Sequence, residues 1–286
     1  MRLTWLTDTH LEFPGNSGRL RLAEEIRLQK PNNVLITGDI SNAKQIKKLL
    51  PELQERIGVP IFYVLGNHDF YGGSIKEIRE WAAKETIASG GKLFWMHGNF
   101  IQMNPYASLI AVDGWADGLL GDPAGSRIIL NDWTMIDEMR NAGIQKDLDK
   151  RLAMLKKLGH EEASTLGPIL AQALAQSEHV YVMTHIPPWR AATWHEGEHS
   201  DNDWLPWFSC KAVGDLIEKR SAQHPGKKIT VLCGHTHGRG WSQITDDIEV
   251  YTGGADYYLP EVQGTFAIAD DGTYVKEPPI RLESDD

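Results

Sequence analysis

Five short blocks concentrate side chains able to bind metal ions: Asp8-Thr9-His10, Gly38-Asp39, Gly66-Asn67-His68-Asp69, a lone His185, and Gly234-His235-Thr236-His237. Carboxylate, imidazole and carboxamide oxygen together form the mixed donor set that divalent first-row ions accept. Taken singly the blocks say little. Gly-Asp is an ordinary turn, and Asp-x-His is more often polar surface. Gly-His-Thr-His is the most specific, because alternate residues of an extended segment point the same way. All five blocks together, in this order, are poorly explained by chance.

The elements around them explain why the order matters. Short apolar runs at 3–6, 34–37 and 61–65 read as buried strands, separated by amphipathic helices over 18–29, 42–56 and 74–89. That alternation predicts a largely parallel α/β sheet covered by helices. Strand-like stretches at 93–96, 99–103 and 108–112 lie too close together for crossover helices, so a meander or mixed sheet is expected there. Residues 131–176 read as helical, with Gly159 ending one helix and Pro168 in the first turn of the next. Strands resume at 179–184, 229–233, 241–245, 248–252 and 264–270. Each of the five blocks follows a strand, and the carboxyl ends of strands open onto the ligand crevice of such sheets. No repeat or linker interrupts the chain, which reads as one domain with a helical insertion at about 131–176 and a Trp-rich loop at about 186–208.

Composition narrows the function. The formal charge of −10 over 286 residues argues against a nucleic-acid backbone as the main partner. The only cysteines, Cys210 and Cys233, cannot build a disulfide framework or a cysteine zinc site. Asp8 and His10 break the first apolar run, and no later run has the roughly 20 apolar residues of a membrane span. The expectation is a soluble, cytoplasmic protein.

The five blocks resemble those of the calcineurin-like metallophosphoesterase superfamily: Asp-x-His, Gly-Asp, Gly-Asn-His-(Asp/Glu), a lone His, and Gly-His-x-His. The resemblance spans residues 8 to 237. It implies a four-layer α/β/β/α sandwich and two divalent ions, with manganese, iron, zinc or cobalt all compatible. One ion would take Asp8, His10, Asp39 and His237; the other Asp39, Asn67, His185 and His235. A hydroxide between the ions would attack phosphorus in line, with His68 beside the leaving group and Asp69 orienting it. Asp39 suits a bridging position because a carboxylate has two oxygens. The two ions carry four positive charges; Asp8, Asp39 and the hydroxide cancel three, leaving one to attract phosphate to an acidic protein.

The implied activity is hydrolysis of a small phosphomonoester or phosphodiester. A nuclease using the same ions is the alternative, and a non-catalytic metal-binding scaffold the second. The chain lacks the Asp-Arg-Gly of protein serine/threonine phosphatases, and Asn42 stands where purple acid phosphatases carry a tyrosine. Arg127, Arg190 and Arg239 are candidate phosphate clamps. Asp113-Gly114-Trp115-Ala116-Asp117-Gly118 follows another strand and is expected to border the crevice. Trp189, Trp194, Trp204 and Trp207 crowd the segment after His185, with His195, Glu196, Glu198, His199 and Asp201 among them. That segment reads as a self-packed loop, an aromatic lid or a subunit contact, and its acidic-histidine cluster as a solvated surface or a further metal site.

Overall fold

The computed structural model describes residues 1–282. In chain order the strands are β1 (Arg2–Leu6), β2 (Asn33–Thr37), β3 (Ile61–Val64), β4 (Leu93–Trp95), β5 (Phe100–Asn104), β6 (Ala107–Ala111), β7 (His179–Met183), β8 (Trp194–His195), β9 (Glu198–His199), β10 (Lys228–Cys233), β11 (Gly240–Thr245), β12 (Ile248–Thr252), β13 (Gly264–Ile268) and β14 (Tyr274–Glu277). The helices are α1 (Gly15–Leu28), α2 (Ile46–Ile57), α3 (Ile75–Ala88), α4 (Asp132–Met135), α5 (Asp137–Ala142), α6 (Leu148–Gln176), α7 (Leu205–Phe208) and α8 (Lys211–Ser221).

The strands form two six-stranded sheets, ordered β14-β13-β1-β2-β3-β4 and β11-β12-β10-β7-β6-β5, plus the small β8–β9 hairpin. Strands β1 to β4 run parallel, as do β6, β7, β10 and β12. Their side chains alternate between two apolar layers, as a period of two requires. Leu3, Trp5, Leu35, Leu109, Tyr181, Met183, Leu232 and Phe266 share one cluster between the sheets. Leu6, Val34 and Ile36 instead face α1, α2 and α3. Ile110, Val180, Val182 and Val231 face α6 and α8. The result is the expected α/β/β/α order of layers.

Two local expectations are corrected. Of the meander or mixed sheet expected over 93–112, the meander is not found, and both sheets are mixed. Strand β4 joins β3 in one sheet, while β5 and β6 pair as an antiparallel hairpin in the opposite sheet. The chain crosses between sheets through Gly98, whose φ of 72° suits a glycine. Nor does Gly159 end a helix: α6 runs unbroken over 29 residues, with Pro168 inside it. A Cβ at Gly159 would lie 2.6 Å from Asp117 Cβ and 3.2 Å from Cys210 Sγ. The glycine serves close packing there, and packing of the apolar face outweighs the cost of glycine and proline in the helix.

Candidate metal centre

The carboxyl ends of β1, β2 and β3 in one sheet meet those of β7 and β10 in the other. The backbone there is unusual. Asp8, His10, Asp39, His235 and His237 have φ of 48°, 40°, 50°, 71° and 59°, five of the seven non-glycine residues in the left-handed region among the described residues. Each such residue costs about 1–3 kcal/mol and persists only where its surroundings over-determine it. Here cross-links hold the loops. Asp8 and His10 N–H donate to the Gly38 and Asp39 carbonyls, both at 3.0 Å. The Asp8 carboxylate accepts the His235 N–H at 3.0 and 3.1 Å and the Thr7 hydroxyl at 2.6 Å.

The donor atoms converge. One atom each from Asp8, His10, Asp39 and His237 lie within 4.8 Å of one another, and so do atoms from Asp39, His185 and His235. Asn67 Oδ1 joins the second group, 3.1 Å from His185 Nε2 and 3.0 Å from His235 Nδ1. Atoms of all seven expected residues therefore lie in these two groups, with Asp39 common to both.

Hydrogen bonds behind the donors decide which atoms face inward. His185 Nδ1 lies 2.8 Å from the Thr37 carbonyl and His235 Nε2 lies 3.3 Å from the Trp207 carbonyl. A carbonyl only accepts, so each ring gives an N–H there and directs its other nitrogen inward, which offers a lone pair once deprotonated. The Asn67 amide nitrogen donates to Asp132 Oδ1 at 2.9 Å, so its oxygen also faces the centre. His10 Nε2 stands 3.3 Å from His237 Nε2, and the buried His10 Nδ1 lacks a hydrogen-bond partner. Acceptor thus faces acceptor several times over, which protons or cations between them would relieve. A donor set of imidazole nitrogens and carboxylate and amide oxygens fits divalent ions.

Charges agree with that reading. Burial pushes the Asp8 carboxyl up, only partly offset by His185 and His237. Burial would also raise Asp39, but the charges of His185 and His68 outweigh it and hold Asp39 well below the usual carboxylate range. Burial alone would lower His185; Asp39, 3.3 Å away, instead lifts it to about 10. Burial depresses His10 to about 3 and takes His235 well below its ordinary value. A cation entering beside Asp39 must displace the His185 proton.

His68 stands at the rim. Its ring stacks on Tyr71 at 4.2 Å, and its backbone N–H donates to Asp39 Oδ1 at 2.8 Å. The expected partnership with Asp69 is corrected. The Asp69 carboxylate is buried and accepts the N–H groups of Ile40 and Ser41 at 2.9 Å and of Gly66 at 2.8 Å. It ties the loop after β2 to the loop after β3 and leaves His68 to Tyr71. Asp113 likewise does not border the crevice. It is buried behind it, accepting from Leu65 N, Trp95 Nε1 and Arg79 Nε, all at 2.9 Å, while its carbonyl accepts the His185 N–H at 2.7 Å.

A cleft of about 250 Å³ opens over the centre, lined by Asp39, Asn67, His68, His235 and His237 together with Trp204, Phe208 and Tyr257. His195 also reaches this wall, its Nδ1 3.0 Å from the Thr236 carbonyl. Among the loop tryptophans, Trp189 bonds Glu218, Trp194 packs at a tilt against His199, and Trp207 is buried against Trp133; Trp204 alone lines the cleft. Arg190 donates to Asn202 at 2.6 Å and Arg127 is exposed; neither lines the cleft. Arg239 binds Glu261 and Gln263 in an adjoining cleft that shares His237. Sequence reasoning missed Asp132, Tyr71 and Tyr257. Tyr71 adjoins a recognised block, whereas Asp132 and Tyr257 carry no local signal.

This arrangement, two stacked sheets presenting clustered His and Asp at one edge, defines a class of metal-centred sandwich proteins. Residues 1–239 match the family described as calcineurin-like phosphoesterase, and the chain belongs to that family. Among solved structures it is similar to a dimetal phosphatase from Danio rerio, at 13% identity over 98% of this chain and 97% of that one, with a TM-score of 0.60. It is also similar to phosphopantetheinyl hydrolase from Mycobacterium tuberculosis, at 14% identity over 91% and 94% of the two chains, with a TM-score of 0.62. At such identities the likeness is one of fold. None of the curated proteins matches the sequence.

Proposed function

We propose that this chain hydrolyses a small phosphomonoester or phosphodiester with the help of two divalent ions. Asp8, His10, Asp39 and His237 would hold one, and Asp39, Asn67, His185 and His235 the other. The observation that carries the reading is the crowding of His185 Nε2, His235 Nδ1 and Asn67 Oδ1 beside Asp39, with the other nitrogen of each ring bonded to a backbone carbonyl. When bound, such ions supply a water of lowered pKa and positive charge for the phosphoryl oxygens.

The protein's own groups do the rest. Asp39 offers one oxygen to each cluster, and Asn67 adds coordination without charge. His68, outside both clusters yet on the cleft wall, reaches the substrate and offers a ring proton to the departing oxygen. The donor set suits manganese, iron, zinc or cobalt. Two buried free thiols, Cys210 and Cys233, support a cytoplasmic setting.

The test is a panel of phosphomonoesters and phosphodiesters assayed on manganese-reconstituted protein beside a chelated control. Turnover is expected with metal and not without it, with two ions per chain. Full activity in the chelated protein, or none on any ester after reconstitution with all four metals, overturns the proposal.

A further inference from the structure

The wall beside His68 carries a second, more specific message about substrate. A cleft of about 500 Å³ adjoins the centre on this side and shares His68, Tyr71, Asn131 and Tyr257 with the cleft above the donors. At its mouth Phe13, Met135 and Tyr257 are 42%, 41% and 38% exposed. Single exposed apolar groups are ordinary, but three meeting at one cleft beside a reactive centre are not. The rings are already arranged: Phe13 meets Tyr257 edge-on at 5.3 Å, and Tyr257 lies 4.5 Å from His10. Walls that need no reordering favour a rigid planar guest.

Charge points the same way. Among the described residues no lysine or arginine lines this cleft or the one over the donors, and Glu12 and Asp132 supply the acidic side chains on their walls, with Asp39 at the centre. The guanidinium groups of Arg21, Arg239 and Arg281 line the different cleft that opens beside His237. A second phosphate on the His68 side would therefore meet carboxylates and apolar rings with no cation to pair with.

Building on the hydrolase reading above, we propose that the His68-side cleft receives the alcohol part of the phosphoester, and that this part is uncharged and carries a planar ring. Phe13, Met135 and Tyr257 are then specificity-determining residues.

The test compares three esters with similar alkoxide leaving groups: phenethyl phosphate, glycerol phosphate and propanediol bisphosphate. On manganese-reconstituted protein, kcat/KM for the phenethyl ester is expected to exceed that for glycerol phosphate by about ten-fold, the size of one ring-stacking contact, with the bisphosphate slowest. The double variant Phe13→Ala, Met135→Ala should bring the phenethyl-to-glycerol ratio close to unity. Calorimetric binding of phenethylphosphonate against ethylphosphonate should show the same preference without turnover. Equal constants, a preferred bisphosphate, or a ratio untouched in the variant overturns the inference. If none of the three monoesters is hydrolysed, the wider ester panel decides the hydrolase reading, and the phosphonate comparison still decides this one.

Discussion

Asn67 and Asp132 are joined by a 2.9 Å hydrogen bond from the Asn67 amide nitrogen to Asp132 Oδ1. The Tyr71 hydroxyl shares the same carboxylate oxygen, so Asp132 holds both the Asn67 side chain and the ring on which His68 stacks. Groups that orient metal ligands typically contribute 10–100-fold in affinity. Asp132→Ala should weaken one of two ions by about that factor in a calorimetric metal titration, leaving the ion near Asp8 in place. Equal loss at both sites would refute the assignment.

Asp39 belongs to both donor clusters and Asp8 to one. Asp39→Asn is therefore expected to disturb both ions, and Asp8→Asn one. Metal content per chain after desalting distinguishes the two variants; identical stoichiometries would contradict the shared role of Asp39.

His68 lies outside both clusters. His68→Ala should lower turnover by about 10²–10⁴-fold on a substrate with a poor leaving group while metal content stays normal. Undiminished turnover would remove His68 from the mechanism.

Gly66 touches the centre through its lack of a side chain. A Cβ there would stand 2.1 Å from Asp39 Oδ1 and 2.7 Å from His185 Nε2, in a buried corner that cannot yield cheaply. Gly66→Ala should cost about 2–3 kcal/mol in urea unfolding and reduce bound metal. Wild-type metal content in this variant would show that the corner can relax.

His179 tests burial away from the centre. Its ring stacks on Tyr181 at 4.4 Å and reaches Thr230 Oγ1 at 2.8 Å. Burial lowers it from about 6.5 to about 4, against the opposing charge of Glu249. Between those values the unfolded chain binds the extra proton, so stability present above pH 6.5 is lost as pH falls toward 4. The loss attributable to this group is about 3 kcal/mol. Urea midpoints across that range should fall less steeply in His179→Gln than in the parent; parallel curves would argue against a neutral buried ring.

Much of this centre could be read from the chain alone because its chemistry is local. Each donor block follows a strand, and strands announce themselves by apolar runs of four to six residues, so the carboxyl edge was identifiable before any folding. The same locality misled where residues have two uses. Gly159 looks like a helix stop and is a packing contact with Asp117 and Cys210; Asp69 looks like a partner of His68 and is a clamp on backbone N–H groups.

The order and type of the residues determined the family, the candidate donors and the edge at which they gather. Stacking of the two sheets decided the remainder: which nitrogen of each imidazole turns inward, that Asp132 and Tyr257 reach the centre, and that the His68 side is apolar. Those features depend on contacts between distant segments, from the 28 residues separating Trp207 from His235 to the 148 separating Thr37 from His185. Period and propensity describe only neighbours along the chain, so pairings at that distance exist only once the sheets have packed.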